Sequence, residues 1–297
     1  MTQKCGLVAV IGAPNAGKST LVNSLVGQKV AITSAKAQTT RARLLGIALE
    51  GETQIILADT PGIFAPRRRL DRAMVAAAWE GAQEADAILL VVDAVKQRRH
   101  ELEPLLETLK NRPERKLLVL NKVDAGAKEG LLVLAEDLTG KAAFDEVFYI
   151  SALTGDGVPE LKTRLAAMMS EGPWHYPEDQ VSDASERLLA CEITREQLYK
   201  QLHEELPYDS AVRPESYKHL KDGSVEIRQQ IVVSRDSQKA IVLGKRGARI
   251  RAIGEAARNE LAEILGHKVH LFLHVKVEEN WADARDIYEE IGLDWVK

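Results

Sequence analysis

The sequence predicts an α/β domain on a mostly parallel sheet, followed by a smaller α+β domain. Three observations carry this expectation. Apolar runs alternate with helical patterns up to about residue 170. A stretch with two prolines, a glycine and two aromatic residues, EGPWHYPED at 171–179, then interrupts the rhythm. Beyond it the apolar residues follow a helix, strand, strand, helix, helix, strand order.

In the first part the apolar runs are Leu7 to Ile11, Ile55 to Ala58, Ile88 to Val92, Leu117 to Leu120 and Val147 to Ile150, with a helix opening at Lys18. Such continuous runs suit strands buried on both faces of a parallel sheet, whose ligand loops lie at the carboxyl ends. Trp174 and Tyr176 in the break are expected to pack on a domain, so we read a stiff connection and not a Gly/Ser tether. After the break, a helix carries Leu189, Ile193, Leu198 and Leu202, and an ELPYD turn leads to an extended segment near 211–220. Val225, Ile227, Ile231 and Val233 alternate as a strand. A short helix ends at GKRG, and a longer one carries Ile250, Ile253, Ala257, Leu261 and Ile264. Val269, Leu271, Leu273, Val275 and Val277 then alternate in a strand, and a last helix is expected over 281–291. The expected domains are 1–171 and 183–297, joined by 172–182.

The 297 residues suffice for two domains at about 150 residues each. Lys and Arg total 40 against 44 Asp and Glu, a net charge of -4 that argues against general coating of nucleic acid but permits a local basic face. Cys5 and Cys191 match no zinc or redox spacing; we read a reducing cytoplasm, with Cys5 as strand-edge packing. MTQK leads straight into a strand, and the run Ala87 to Val92 is too short to span a bilayer.

Five motifs occur in order: GAPNAGKS at 12–19, QTTR at 38–41, DTPG at 59–62, NKVD at 121–124 and SAL at 151–153. Together they describe a P-loop guanine-nucleotide switch of the GTPase kind. Gly12, Ala13, Pro14, Asn15, Ala16 and Gly17 let backbone N–H groups turn around phosphates at a helix N-terminus, with Thr20 beside them. Lys18 reaches the β- and γ-phosphates, and Ser19 offers a hydroxyl to Mg²⁺. Asp59 sits where a carboxylate would hold Mg²⁺ through water, within a loop of Thr60, Pro61 and Gly62 whose Gly62 N–H can bind the γ-phosphate. In QTTR we assign Thr40 to the metal, with Thr39 the close competitor. Lys18, Thr40 and Gly62 are the catalytic candidates, and segments 29–45 and 61–70 are expected to order around the γ-phosphate. The Asp124 carboxylate can accept from guanine N1–H and the exocyclic amine, which adenine does not present. Asn121 can bridge base and phosphate loop, Lys122 can lie along the base, Ser151 and Leu153 flank it, and the Ala152 N–H can meet guanine O6. Many GTPases carry a glutamine after DTPG; here the residue is Ile63, whose side chain can neither donate nor accept a hydrogen bond. The water must then be positioned by backbone, by a partner or by a further ion; Asn15 is a candidate ligand for K⁺, where an arginine finger's charge would otherwise sit, with a loop-stabilising side chain as the alternative. Arg41 is read as a solvated switch arginine, with an internal finger as the alternative.

In the second domain, GKRG between two helices with a flanking strand is what a KH module needs: glycines that let four backbone nucleotides approach. Arg235, Lys239, Gly244, Lys245, Arg246, Gly247, Arg249 and Arg251 form the expected RNA face, with Asp236 the one acid among them. The preceding helix and two strands suit the bacterial, type II arrangement.

GAPNAGKS, KAQTTR, DTPGI and NKVD, joined to LGKRGARIRAIG, make the whole chain resemble the bacterial Era family of GTPases. The resemblance implies a GTP-hydrolysing assembly factor for the small ribosomal subunit, binding GTP, GDP and Mg²⁺. It also implies binding to single-stranded RNA near the 3′ end of the small-subunit rRNA, and contact with the inner face of the cell membrane. The final helix, acidic at Asp283, Asp286, Glu289 and Glu290, would not favour anionic lipid, and we expect a monomer. Two rival readings remain. A GTPase assisting tRNA modification shares the phosphate-loop asparagine, but would carry a folate-like or cysteine-tailed module, whereas this chain ends in DWVK. An RNA-binding scaffold with a decayed nucleotide site would not keep Lys18, Thr40, Asp59 and Asp124.

Overall fold

The computed structural model describes residues 2–34, 36, 39–41, 43–64, 66, 68–96, 99–126, 128–203, 206–290 and 293–296. Gln38 of QTTR therefore lies outside the described residues, as do parts of both switch segments, Glu205 of the ELPYD turn and Ile291. The chain divides into two compact units, residues 1–183 and 184–297.

In the first unit the strands are β1 (Lys4–Ile11), β2 (Leu44–Glu50), β3 (Thr53–Asp59), β4 (Ala87–Asp93), β5 (Arg115–Asn121), β6 (Glu146–Ile150) and the short β7 (Ser170–Glu171). The helices are α1 (Lys18–Val26), α2 (Arg69–Gln83), α3 (Arg99–Lys110), α4 (Lys128–Lys141) and α5 (Val158–Met168). Sheet order is β2-β3-β1-β4-β5-β6, with β7 pairing antiparallel to the start of β1. β1, β3, β4, β5 and β6 run parallel. Strand periodicity explains the unbroken apolar runs. Val8, Val10, Leu89, Val91, Leu117 and Val119 enter the core shared with α1 and α5. Their neighbours Ala9, Ile11, Ile88, Leu90, Leu118 and Leu120 enter the opposite core with α3.

β2, which no apolar run announced, is the antiparallel edge strand against β3, with Leu44 opposite Asp59. A Cβ on its Gly46 would lie 2.9 Å from Val22 Cγ1 and 3.0 Å from Val26 Cγ2, so α1 packs there only on a glycine. Residues 172–183 pack along β2 and β3. Trp174 Nε1 donates to Glu52 O (3.1 Å), and the buried Gln54 amide accepts from His175 N and Tyr176 N while donating to Tyr176 O. The β2 edge is closed by Ile47 N to Val181 O (2.8 Å) and Leu45 N to Asp183 Oδ1 (2.9 Å).

The second unit runs α6 (Glu186–Gln201), β8 (Ser210–His219), β9 (Val225–Val233), α7 (Asp236–Leu243), α8 (Ala248–Leu265), β10 (Val269–Val277) and α9 (Arg285–Glu290). Its sheet is ordered β10-β9-β8, with β10 parallel and β8 antiparallel to β9. Val275, Ile231 and Val233 meet Leu198, Val242 and Ile253 of the helices in its core. This is the KH arrangement of type II. The expected last helix is broken: Trp281–Asp283 forms a 3₁₀ turn, and Ala284 turns extended (φ -90°, ψ 122°) before α9 begins. The turn is fixed because Trp281 is buried and its Nε1 donates to Asp209 O. Among the described residues no helix is long and apolar enough to cross a membrane, and Cys5 and Cys191 are free thiols.

Candidate functional site

The loop after β1 needs glycine at two points. Gly12 (φ +153°) would place a Cβ 2.3 Å from Val91 O, and Gly17 (φ +97°) would place one 2.2 Å from Asn121 Nδ2. Between them the non-glycine Asn15 adopts φ 63°. Lys18, the first residue of α1, is buried; its Nζ donates to Ala13 O (3.1 Å) and Gly12 O (3.3 Å). Burial pulls its pKa down from 10.5 to about 8, against an upward pull from the Asp59 charge.

Three oxygens from separate elements converge beside it. Ser19 Oγ lies 2.7 Å from Asp59 Oδ2 and 2.9 Å from Thr40 Oγ1, and Thr40 Oγ1 lies 3.2 Å from Asp59 Oδ2. Octahedral Mg²⁺ holds adjacent oxygens roughly 2.9 Å apart, so the trio fits this ion. Thr39 lines the same cavity as Ser19 and Thr40, but its hydroxyl donates to Lys36 O (2.9 Å). Gly62 runs against the phosphate loop: a Cβ there would lie 2.9 Å from the Pro14 N, Cα and Cγ atoms. Ile63 N donates to Gly12 O (3.0 Å), and its side chain packs on the core that contains Ile11 and Leu90.

On the base side, Asn121 at the end of β5 donates to Ala16 O and accepts from Ala152 N, both at 2.9 Å. Lys122 sits at φ 69° and donates to Asn15 O (2.7 Å) and Asp93 Oδ2 (2.6 Å). Asp124 is exposed, at the 3₁₀ turn Val123–Ala125, and Leu153 is 80% exposed. Ser151 is buried, its hydroxyl accepting from Thr154 N. Pro14, Asn15, Gly17, Lys18, Ser19, Thr20, Thr40, Gly62, Asp93 and Lys122 line one cavity of about 420 Å³.

Three placements differ from expectation. Thr60 is fully buried, and its hydroxyl donates to Val10 O (2.7 Å), which ties strand ends together instead of facing the cavity. The Ala152 N–H, expected to meet guanine O6, is held by Asn121 Oδ1, since a buried donor needs an acceptor. Arg41 is not solvated: only 4% of it is exposed.

Asp93 was missed by sequence reasoning. Its Oδ1 accepts from Val95 N and Lys96 N, both at 2.9 Å. Burial works to raise its pKa, but the Lys122 ammonium and these two N–H groups outweigh it and hold the carboxyl below its ordinary value. The signal was available, for Asp93 ends an apolar run, and parallel pairing of β4 with β5 places it opposite Asn121.

In the second unit, GKRG forms a tight turn between α7 and α8, with φ 69° at Gly244, 54° at Arg246 and 73° at Gly247. A Cβ on Gly244 would meet Arg249 Cβ at 2.7 Å, whereas Gly247 faces open space. Arg235, Lys245, Arg246 and Arg251 are exposed, and Lys239 is half-buried. Arg249 departs from the expected RNA face, because its guanidinium donates to Gln201 O at the end of α6 (3.0 Å). Ile241, 52% exposed on α7, lies three residues before the turn. Phe272 on β10 is 49% exposed with the Arg228 guanidinium 4.7 Å above its ring, a pair the alternation pattern did not single out.

Comparison with known proteins agrees with both halves. A family model described as 50S ribosome-binding GTPase matches residues 7–122, and a KH domain model matches residues 205–282. The GTPase Era of Erythrobacter litoralis is 76% identical, covering 99% of this chain and 98% of its own length. That of Afipia carboxidovorans is 56% identical over 99% and 96%. Among solved structures, an Aquifex aeolicus Era variant bound to GDP·AlF4⁻ superposes with a TM-score of 0.92 at 38% identity, over 98% of this chain and 99% of that one. An Era in complex with MgGDPNP and nucleotides 1506–1542 of 16S ribosomal RNA matches equally, at 0.92, 38%, 98% and 99%. The chain belongs to the Era family and is a GTPase.

Proposed function

We propose that the protein is a GTP-operated switch that binds the 3′ region of small-subunit rRNA through its KH unit and assists assembly of the 30S subunit. The observation that carries this is the pairing, in one chain, of an Mg²⁺-spaced oxygen trio with an exposed GKRG turn. The relative solved with both MgGDPNP and a 16S fragment supports it.

Phosphates would lie along 12–17, with the Lys18 ammonium turning from the Gly12 and Ala13 carbonyls to the β- and γ-oxygens. Ser19, Thr40 and Asp59 would hold Mg²⁺, which when bound neutralises charge on those oxygens. The Gly62 N–H is offered to the γ-phosphate. Water attacks the γ-phosphorus, the bond to the β-bridging oxygen breaks, and GDP, phosphate and a proton are released. Ile63 packs on the core and offers no polar group, so backbone, a partner or K⁺ beside Asn15 must orient the water. Asp124 reads the guanine N1–H and amine, and the Ala152 N–H reaches O6 by sharing or exchanging its bond to Asn121. On the RNA side, Gly244 and Gly247 admit the backbone, Arg235, Lys239, Lys245, Arg246 and Arg251 face phosphates, and Ile241 offers an apolar contact to a base.

Two measurements test this. Gly247→Asp adds a negative charge in open space and should abolish binding of an RNA matching the 16S 3′ end, while GDP affinity stays unchanged. RNA binding that survives would remove GKRG from the interface. Sedimentation with purified subunits separates a 30S partner from a 50S one, the latter suggested by the description of the matching family model. We place the protein in the cytoplasm as a monomer. Peripheral membrane contact is tested by flotation with anionic vesicles, where the acidic Asp283, Asp286 and Glu289 predict weak binding.

A further inference from the structure

We propose that Asp93 is a positioning residue for the guanine nucleotide: through Lys122, it clamps the base-reading turn onto the phosphate loop and thereby sets how long GDP and GTP stay bound. The inference rests on reading 12–19 and 121–124 as the nucleotide site.

Asp93 presents a puzzle. It lines a cavity suited to a polyanion, where a carboxylate repels phosphate. Its surroundings resolve this. Oδ1 is fixed by the N–H groups of Val95 and Lys96, which leaves Oδ2 aimed at Lys122 Nζ, 2.6 Å away. The ammonium cancels the charge and spans onward to Asn15 O at 2.7 Å. Lys122 and Asn15 both hold left-handed backbone, φ 69° and 63°, which non-glycine residues adopt at a cost. One ammonium thus ties two strained residues from loops 107 positions apart. The Lys122 side chain is 37% exposed against 9% for Asp93, so without its carboxylate partner the lysine is free to turn to water. Its stem would then leave the base face, and Asn15 would lose the bond that restrains the phosphate loop. Asn121 makes a parallel tie to Ala16 and Ala152, which keeps the site assembled when the Asp93 tie is cut. The expected signature is therefore faster nucleotide release without loss of chemistry.

The test uses the full-length protein and fluorescent GDP and GTP analogues. Asp93→Asn keeps an oxygen for Val95 and Lys96 but presents an amide to Lys122, so it breaks the clamp and spares the turn. Dissociation of both nucleotides should accelerate at least about tenfold, while kcat at saturating GTP stays within about twofold and the melting temperature barely moves. The double variant with Lys122→Ala should release nucleotide no faster than Lys122→Ala alone, because the two act in series. Wild-type release from Asp93→Asn would overturn the inference, as would multiplicative effects in the double variant or a fall in kcat with unchanged affinity. Failure of the unsubstituted protein to hold GDP would instead overturn the reading of the site on which the inference stands.

Discussion

Thr40 Oγ1 lies 2.9 Å from Ser19 Oγ, although 21 residues separate them. Their shared partner is Asp59 Oδ2. A strand end, a helix start and a switch segment are joined by these hydrogen bonds. Thr39 makes a local bond to Lys36 O. Thr40→Ala should therefore lower hydrolysis at saturating GTP by at least about tenfold and raise the Mg²⁺ concentration required, while Thr39→Ala stays within about threefold of the parent. A Mg²⁺ titration of the rate decides between them: equal effects would withdraw the assignment to Thr40, and a larger effect of Thr39→Ala would move it to Thr39.

Lys18 gives a pH prediction. Its folded pKa of about 8 lies below the ordinary 10.5 because burial disfavours the ammonium. Between these values the unfolded chain carries a proton that the folded chain lacks, so the cost of burying Lys18 is complete below pH 8 and lifts as pH rises towards 10.5. Nucleotide binding has the opposite sign. Phosphates favour the ammonium, so above about pH 8 each binding event takes up a proton. GDP affinity should be flat below that pH and fall by up to about tenfold per unit above it. Calorimetry in buffers of different ionisation enthalpy measures the proton uptake; none at pH 8.5 would remove Lys18 from phosphate contact.

Ile63 tests where the water-orienting group lies. Its side chain packs on the core and its N–H is held by Gly12 O. Ile63→Ala should therefore cost stability, about 1 to 3 kcal/mol for a half-buried aliphatic, yet lower basal hydrolysis by less than about tenfold. Exchanging K⁺ for Na⁺ should slow the reaction more than this substitution does. Equal rates in the two salts, with normal GTP binding, would withdraw Asn15 as the ion ligand.

The parts of the site that were legible in the sequence are those in which one atom type must stand at one place along the chain. Gly12, Lys18, Asp59 and Asn121 each end or follow a strand, and the parallel sheet brings those strand ends to one edge. What stayed hidden depends on pairing across the sheet. β2 was missed because it carries Gly46, required by the approach of Val22 and Val26, and glycine weakens a strand pattern. Asp93 reads as an ordinary strand end until β4 is laid beside β5. Arg249 reads as one more cation until α8 is set against the end of α6, where it caps a carbonyl. Charge counting sees a basic patch and not which of its members the fold has already engaged.

The last prediction concerns signalling between nucleotide and RNA. The sequence marks Trp174 and Tyr176 as a stiff connection between the domains, and hence as one route for such a signal. Both are anchored at the start of β3, by Glu52 O and Gln54, far along the strand from Asp59. Asp183 is nearer, for its carboxylate accepts from Leu45 N, one residue beyond the Leu44–Asp59 pair and five beyond Thr40. A change in the switch that shifts β2 thus reaches the last residue of the first unit through one hydrogen bond. If GTP and RNA favour the same arrangement, each must raise affinity for the other by an equal factor, typically about 5- to 150-fold. Asp183→Ala should shrink the ratio of RNA affinities measured with a non-hydrolysable GTP analogue and with GDP, while GDP affinity and RNA affinity in the GDP state remain as in the parent. Trp174→Ala should leave that ratio intact. The reverse pattern would move the route to the aromatic anchor, and a ratio of one in the parent would mean that the two units are merely tethered.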